Sequence, residues 1–317
     1  MRKRRLGNSS LEVAPIVFGG NVFGWTVDQP TAFELLDAFV GAGFNAIDTA
    51  DSYSRWIPGN KGGESETMIG NWLAQGGGRR ERVLIMTKLG SDMGGDRKGL
   101  SRKYIVWSIE ESLKRLKTDY VDLYQSHRDD PNTPIQETLE AYAALIKAGK
   151  VRAIGASNFT RARIQESLDV ARKHGLPRYE SLQPKYNMYD RAEFEKEHMD
   201  FCVKENIGVI PYYALANGFL TGKYRGPKDF GQSQRGGRMG DYLNERGKRI
   251  LAALDAVSKT HDVKPAAVAL AWLMARPSIT APIASATRLE QLDDFVAAAN
   301  LKLSPADMEK LNAASAE

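Results

Sequence analysis

Short runs of consecutive apolar residues recur along the 317-residue chain, and between them apolar positions return every three to four residues. The runs at 17–20, 44–48, 83–88, 121–126, 151–157, 181–184, 208–213 and 279–284 read as strands. Several are apolar without alternation, as strands covered on both faces are. The run at 181–184 is the weakest and is placed by its position in the rhythm. The stretches between read as helices with clear punctuation. Ser101 precedes a pattern in which Ile105, Ile109, Leu113 and Leu116 share one face. Thr133-Pro134-Ile135-Gln136 reads as a capping box with Thr133 as the cap, and Gly149 closes that helix. Lys264-Pro265 and Ser304-Pro305 open two later helices, with proline at the tolerated first position.

Eight strand–helix units are what a (β/α)8 barrel requires, and the length suits one such domain spanning 1–317. An open doubly wound sheet would use the same alternation, but no Gly-x-Gly-x-x-Gly follows the first run, and eight runs favour closure. No linker divides the chain. The segment 223–240 differs in texture: Gly226, Gly231, Gly236, Gly237 and Gly240 are interleaved with Lys228, Arg235 and Arg238. It follows the seventh run, which predicts a long loop at the barrel mouth.

Composition narrows the setting. Apolar content of 42% against 26% charged residues is that of a globular protein with ample core material. Lysine and arginine exceed the acids by 44 to 39, a formal charge of +5, yet the bases are mixed with acids, as in Glu110-Glu111-Ser112-Leu113-Lys114-Arg115. That mixing is a solvated surface and argues against a nucleic-acid partner. Cys202 is the single cysteine, so no internal disulfide forms, which suits a reducing compartment. The basic Met1–Arg5 is followed by Gly7-Asn8-Ser9-Ser10, without the apolar segment a signal peptide needs, and 266–275 is too short to span a bilayer. The expectation is a cytoplasmic protein with no membrane partner.

Barrel enzymes gather their chemistry at the C-terminal strand ends. Asp48 ends the second run, Tyr53 follows in its loop, Lys88 ends the third, and His127 directly follows the fourth. Taken singly, each has an ordinary structural use: a turn-capping aspartate, a packed loop aromatic, a solvated lysine, a hydrogen-bonded histidine. Taken together on consecutive strand ends they form one device. A phenol near pKa 10 is a weak acid at neutral pH, and an adjacent ammonium is expected to lower it. An aspartate would orient that ammonium, and a histidine would hydrogen-bond a carbonyl oxygen as charge develops.

The residues Phe44-Asn45-Ala46-Ile47-Asp48-Thr49-Ala50-Asp51-Ser52-Tyr53, then Gly63-Glu64-Ser65-Glu66, Thr87-Lys88, and Ser112 to Tyr124 leading to His127 resemble the signature segments of the aldo-keto reductase family. Arg5-Leu6-Gly7-Asn8-Ser9 is similar to its N-terminal β-hairpin, which closes the bottom of a (β/α)8 TIM barrel. The resemblance implies hydride transfer between NADPH and the carbonyl of an aldehyde or ketone, with Tyr53 as the acid and NADPH/NADP+ as cofactor.

Cofactor positions carry over residue by residue. Ser157, Asn158 and Gln183 resemble the carboxamide partners, and Tyr212 the aromatic platform under the nicotinamide. Leu215, Gly218, Leu220, Thr221, Gly222, Lys223 and Tyr224 resemble the pyrophosphate loop, and Ser285, Thr287, Arg288 and Gln291 the adenosine-phosphate segment. Tyr213-Ala214 stand where the family often has Ser-Pro. Trp25 and Trp56, following the first strand and Tyr53, are candidate substrate-pocket rings, with Phe23 beside them. His174, His198 and His261 read as helix-surface residues. With His127 the sole strand-end histidine, a metal-dependent hydrolase barrel lacks its ligands, and no metal is expected. A cofactor-binding regulatory barrel with little turnover is the remaining alternative, against which the complete Asp48, Tyr53, Lys88 and His127 set stands.

Overall fold

Side chains on successive strand residues point to opposite faces, so each strand of a closed sheet offers one set to the interior and one to the surrounding helices. The computed structural model describes residues 1–317 and shows both sets. Strands β1 (Arg4–Arg5) and β2 (Glu12–Val13) form an antiparallel pair. Strands β3 (Val17–Gly19), β4 (Ala46–Asp48), β5 (Leu84–Leu89), β6 (Val121–Ser126), β7 (Val151–Ser157), β8 (Tyr179–Gln183), β9 (Gly208–Val209) and β10 (Ile283–Ala284) form one parallel sheet in the order β10-β3-β4-β5-β6-β7-β8-β9. Beyond that ladder, Val209 bridges Ile279, and Ile283 donates its N–H to the Pro211 carbonyl at 2.9 Å. These bonds join the two ends and make a (β/α)8 barrel.

Inside it, Val17, Ala46, Met86, Leu123, Ala153 and Ile210 form a compact apolar layer, which Leu6, Leu11 and Val13 of the N-terminal hairpin close from below. Arg4 fixes the hairpin by donating to the carbonyls of Met274 and Ile279, each at 2.8 Å. The larger apolar cluster lies outside, between the strands and the helices. Helix Pro265–Met274 is buried at every position from Ala266 to Met274, so its apolar run is core. No helix is long and apolar enough to cross a membrane. Two residues above the inner apolar layer the same strand faces carry polar groups: Asp48 above Ala46, Lys88 above Met86, Gln125 above Leu123. The barrel floor is therefore apolar and its upper layer ionic.

Several elements differ from the sequence pattern. The run at 208–213 yields only Gly208–Val209 as strand, and that at 279–284 only Ile283–Ala284. Pro211 and Pro282 have no N–H to give the ladder. The weak run at 181–184 is a full strand, β8. Thr133 is not a helix cap: helix Ile135–Lys147 starts after Pro134, without a side-chain cap, because the Thr133 hydroxyl is drawn to Asp130 at 2.7 Å. Ser101 does cap its helix, accepting from the Tyr104 N–H, and Ser304 forms a capping box with Asp307. His198 is buried and packs on Phe194, because the chain takes a π-turn over Glu195–Met199 that rotates this face inward. His174 is exposed, and His261 pairs with Asp307 at 2.9 Å. Phe23 stacks on Phe18 in the core and does not line the cleft at the barrel mouth.

Candidate active site

The C-terminal end of the barrel opens into a cleft of about 1300 Å³, larger than a single drug-sized ligand needs. At its base lies a buried ion pair. Lys88 and Asp48 are 0% and 1% exposed, with Nζ 2.7 and 2.6 Å from the two carboxylate oxygens. The third ammonium proton goes to the Thr49 carbonyl at 2.7 Å, so all three donors are engaged. The Tyr53 hydroxyl donates to Asp48 Oδ2 at 3.1 Å, and Nζ sits over the tyrosine ring 4.8 Å from its centroid. Gln183 Nε2 donates to Asp48 Oδ1 at 2.9 Å.

This arrangement corrects one expectation. Lys88 does not bring the Tyr53 phenol below its ordinary value; burial and then the Asp48 carboxylate push it well above. The physical reason is that the ammonium spends its protons on Asp48 and Thr49, leaving the tyrosine hydroxyl facing a carboxylate. Burial lowers Lys88, against the opposing pull of Asp48. His127 lies beside Tyr53, ring centroids 6.1 Å apart, with Nδ1 3.0 Å from the Ser91 hydroxyl. Burial, with Lys88 and Arg128 nearby, lowers its imidazole to about 3. His127 is therefore neutral at physiological pH, and activity at this site is expected to show no limb near the usual imidazole value of about 6.5. Initial rates measured across the neutral range check this; a limb there that vanished in His127→Asn would show a titrating imidazole instead.

The remaining sequence-predicted residues lie around the same cleft. Ser157, at the end of β7, donates to the Gln183 carbonyl at 2.9 Å, and Asn158 donates to the His127 carbonyl at 3.0 Å. The Tyr212 hydroxyl donates to Asn158 Oδ1 at 2.9 Å. Leu215, Gly218, Thr221 and Lys223 form one wall, and Ser285, Thr287, Arg288 and Gln291 the far end. Gly222 stands off the wall, at φ +76, where a Cβ would meet Arg225 at 2.8 Å and Pro265 at 3.2 Å. Tyr213, in the place of the expected Ser-Pro, takes the left-handed φ of +55, and Asn187 holds its carbonyl at 3.0 Å. Gln291 turns its oxygen to the backbone N–H of Thr287 at 2.7 Å. Trp25 and Trp56 line the other side, edge to face at 5.7 Å. The 223–240 loop lies over the mouth as two short 3-10 turns, tied by a Tyr224–Ser233 hydroxyl contact at 2.6 Å.

Gln125 was missed. Its Nε2 lies 3.4 Å from Asp48 Oδ1, and its oxygen accepts from Gln183 at 3.2 Å. Gly155 makes room for it: a Cβ there would lie 2.1 Å from Ser181 Oγ and 3.2 Å from Gln125 Cγ. The signal was available, because Gln125 shares the inward parity of Leu123 on β6. Asn21, which accepts from Ser285 at 2.7 Å, and the wall residues Ser91, Arg55 and Arg128 carried no such signal; Arg235 was marked only as one base of the segment 223–240.

The comparison with known families settles the relationship. The model of the aldo/keto reductase family matches residues 15–316. The chain belongs to this family. It is 34% identical over 313 residues to the uncharacterized oxidoreductase YrpG of Bacillus subtilis (strain 168), covering 97% of this chain and 94% of that one. It is 31% identical to aldo-keto reductase AMT2 of Alternaria alternata, over 97% and 90% of the two chains. It is 32% identical to the "Probable voltage-gated potassium channel subunit beta" of Oryza sativa subsp. japonica, over 99% and 96%. The ion pair, the phenol and the imidazole at the barrel mouth thus belong to an aldo/keto reductase family oxidoreductase.

Proposed function

We propose that this one-domain protein reduces the carbonyl of an aldehyde or ketone with NADPH, and oxidises the alcohol in reverse, using Tyr53 as general acid. The observation that carries the reading is the buried Asp48–Lys88 pair with the Tyr53 hydroxyl held on it and neutral His127 alongside. Tyr53 stays protonated in the resting protein. A carbonyl oxygen gaining negative charge is a far stronger base than a phenolate, so the proton passes from Tyr53 to that oxygen. The phenolate left behind faces the Lys88 ammonium across its ring, which offsets the new charge. In the tautomer whose Nδ1 accepts from the Ser91 hydroxyl, His127 carries its proton on Nε2 and can donate a hydrogen bond to the same oxygen.

The residues present fit a nicotinamide dinucleotide. Ser157, Asn158 and Gln183 converge at one strand-end region, Tyr212 offers a ring face, and the cleft continues past Lys223 to Arg288. When bound, the reduced nicotinamide supplies the hydride. Lys223 and Arg288 would hold phosphate charge, which favours the phosphorylated dinucleotide.

NADPH is therefore expected to bind more tightly than NADH, by about tenfold if Arg288 makes one charge-assisted contact with the extra phosphate. Fluorescence titration of both cofactors, followed by turnover with an aromatic aldehyde, tests the reading. Equal affinities would remove the preference. Tight cofactor binding with no turnover of any carbonyl would place the protein with regulatory barrels, a reading that the potassium-channel-subunit relative keeps in view.

A further inference from the structure

The cleft beyond Tyr53 carries positive charge that the protein does not neutralise. Arg55, Arg128 and Arg235 all line it. Arg235, on the 223–240 loop, lays its guanidinium over the Trp25 ring, 5.1 Å from the centroid. Burial is the largest influence on it and works against its charge; the other main influences are Arg238 and the tyrosines Tyr213, Tyr224 and Tyr53, with no carboxylate among them. Arg55 reaches only a backbone carbonyl, that of Asp92, at 2.5 Å. Arg128 lies close enough to oppose a charge on His127.

Arg55 and Arg128 are exposed and Arg235 is half-buried; comparable half-buried arginines elsewhere in this protein have acids. Arg80 meets Asp122 at 2.9 Å, Arg115 meets Glu66 at 2.7 Å, and Arg163 meets Asp129 at 2.8 Å. The acids on the cleft wall are already engaged: Asp48 with Lys88, Asp92 with Lys98 at 3.8 Å, Asp294 with Lys264 at 3.3 Å. A partly buried cation without a counter-charge is costly, and a guanidinium fork is shaped for a planar anion. Beside it runs an aromatic wall, with Trp25 and Trp56 5.7 Å apart and Trp56 and Tyr53 6.3 Å apart.

Resting on the reductase reading above, we infer that the substrate is a ring-bearing carbonyl compound that also carries an anionic group, such as a carboxylate. The ring lies along Trp25 and Trp56, the anion faces Arg235, and the carbonyl reaches Tyr53 and His127. Arg55 and Arg128 add to the attracting field at the cleft mouth.

The test compares para-carboxybenzaldehyde with para-tolualdehyde as substrates. It also compares the unreactive para-toluate with para-toluamide as ligands, read by tryptophan fluorescence in the presence of NADP+. The wild type should favour the carboxylate in kcat/KM by about tenfold or more, with a preference that falls as salt rises. Arg235→Gln should bring that ratio towards one, and Arg235→Lys should restore part of it. Toluate should bind more tightly than the amide, and Arg235→Gln should abolish the difference. NADPH dissociation is measured on the same variants. A wild-type ratio near one, or an Arg235→Gln effect explained wholly by weaker NADPH binding, overturns the inference. If no aldehyde is turned over but toluate still binds in an Arg235-dependent way, the anion site stands and only the reductase reading falls. If aldehydes are reduced but toluate binds no better than toluamide, the reverse holds.

Discussion

Tyr53→Phe is expected to slow aldehyde reduction by about 10²–10⁴-fold, the usual contribution of a positioned general acid. NADPH affinity and thermal stability should stay close to wild type. The substitution deletes one oxygen and keeps the ring that packs near Trp56 and His127. Asp48 loses one donor but keeps Lys88 and Gln183, so its charge remains compensated. Single-turnover rates separate this outcome from a binding defect: the loss should sit in the chemical step and persist at saturating aldehyde and cofactor. A variant that bound NADPH much more weakly, with the chemical step intact, would place the Tyr53 hydroxyl in the cofactor site instead.

Lys88→Met should be the more damaging change, because two functions rest on one ammonium. It holds the Asp48 carboxylate inside the barrel, where both groups are almost completely buried. Removing one partner of such a pair costs about 3–5 kcal/mol, since the other charge is left without its counter-ion. The amides of Gln183 and Gln125 compensate only in part. The same ammonium faces the Tyr53 ring, so the phenolate formed as the proton leaves would lose its nearest cation. Lys88→Met is thus expected to unfold at lower denaturant and to reduce aldehydes at least as slowly as Tyr53→Phe. The double variant Asp48→Asn, Lys88→Met removes the stranded charge. It should recover much of the stability and none of the rate. Denaturant titration of the single and double variants checks this. A Lys88→Met protein as stable as wild type would contradict the assigned role of the pair.

The barrel was legible because its strands are covered on both faces, which writes them as apolar runs, and because polar residues end those runs at the open face. Asp48, Lys88 and His127 announced themselves by that position. Strand length was less legible at 208–213 and 279–284, where Pro211 and Pro282 have no N–H to give the ladder and only two residues of each run are strand. Local capping rules failed at Thr133, whose hydroxyl is taken by Asp130, a residue that also accepts from the Leu100 N–H at 2.8 Å. The Thr133–Asp130 contact is itself local, but Asp130 lies upstream of the four residues that read as the capping box and also holds Leu100, 30 residues away. The direction of the Tyr53 shift was misread for a similar reason. Sequence spacing brought Lys88 near Tyr53, but the allocation of its three protons depends on the Thr49 carbonyl and both Asp48 oxygens. The cation-rich side of the cleft was legible only in part: Arg235 belongs to the basic segment 223–240 placed at the barrel mouth, but Arg55 and Arg128 come from separate loops and share no periodicity with it.

Single-turnover mixing of excess protein with NADPH and an aromatic aldehyde tests the central claim most directly. The account predicts that wild type consumes one NADPH and forms one alcohol per bound cofactor, and that Tyr53→Phe binds the cofactor equally well but reacts at least about a hundredfold more slowly. NADPH that binds wild type and remains reduced, or a Tyr53→Phe protein that reacts at the wild-type rate, would contradict it.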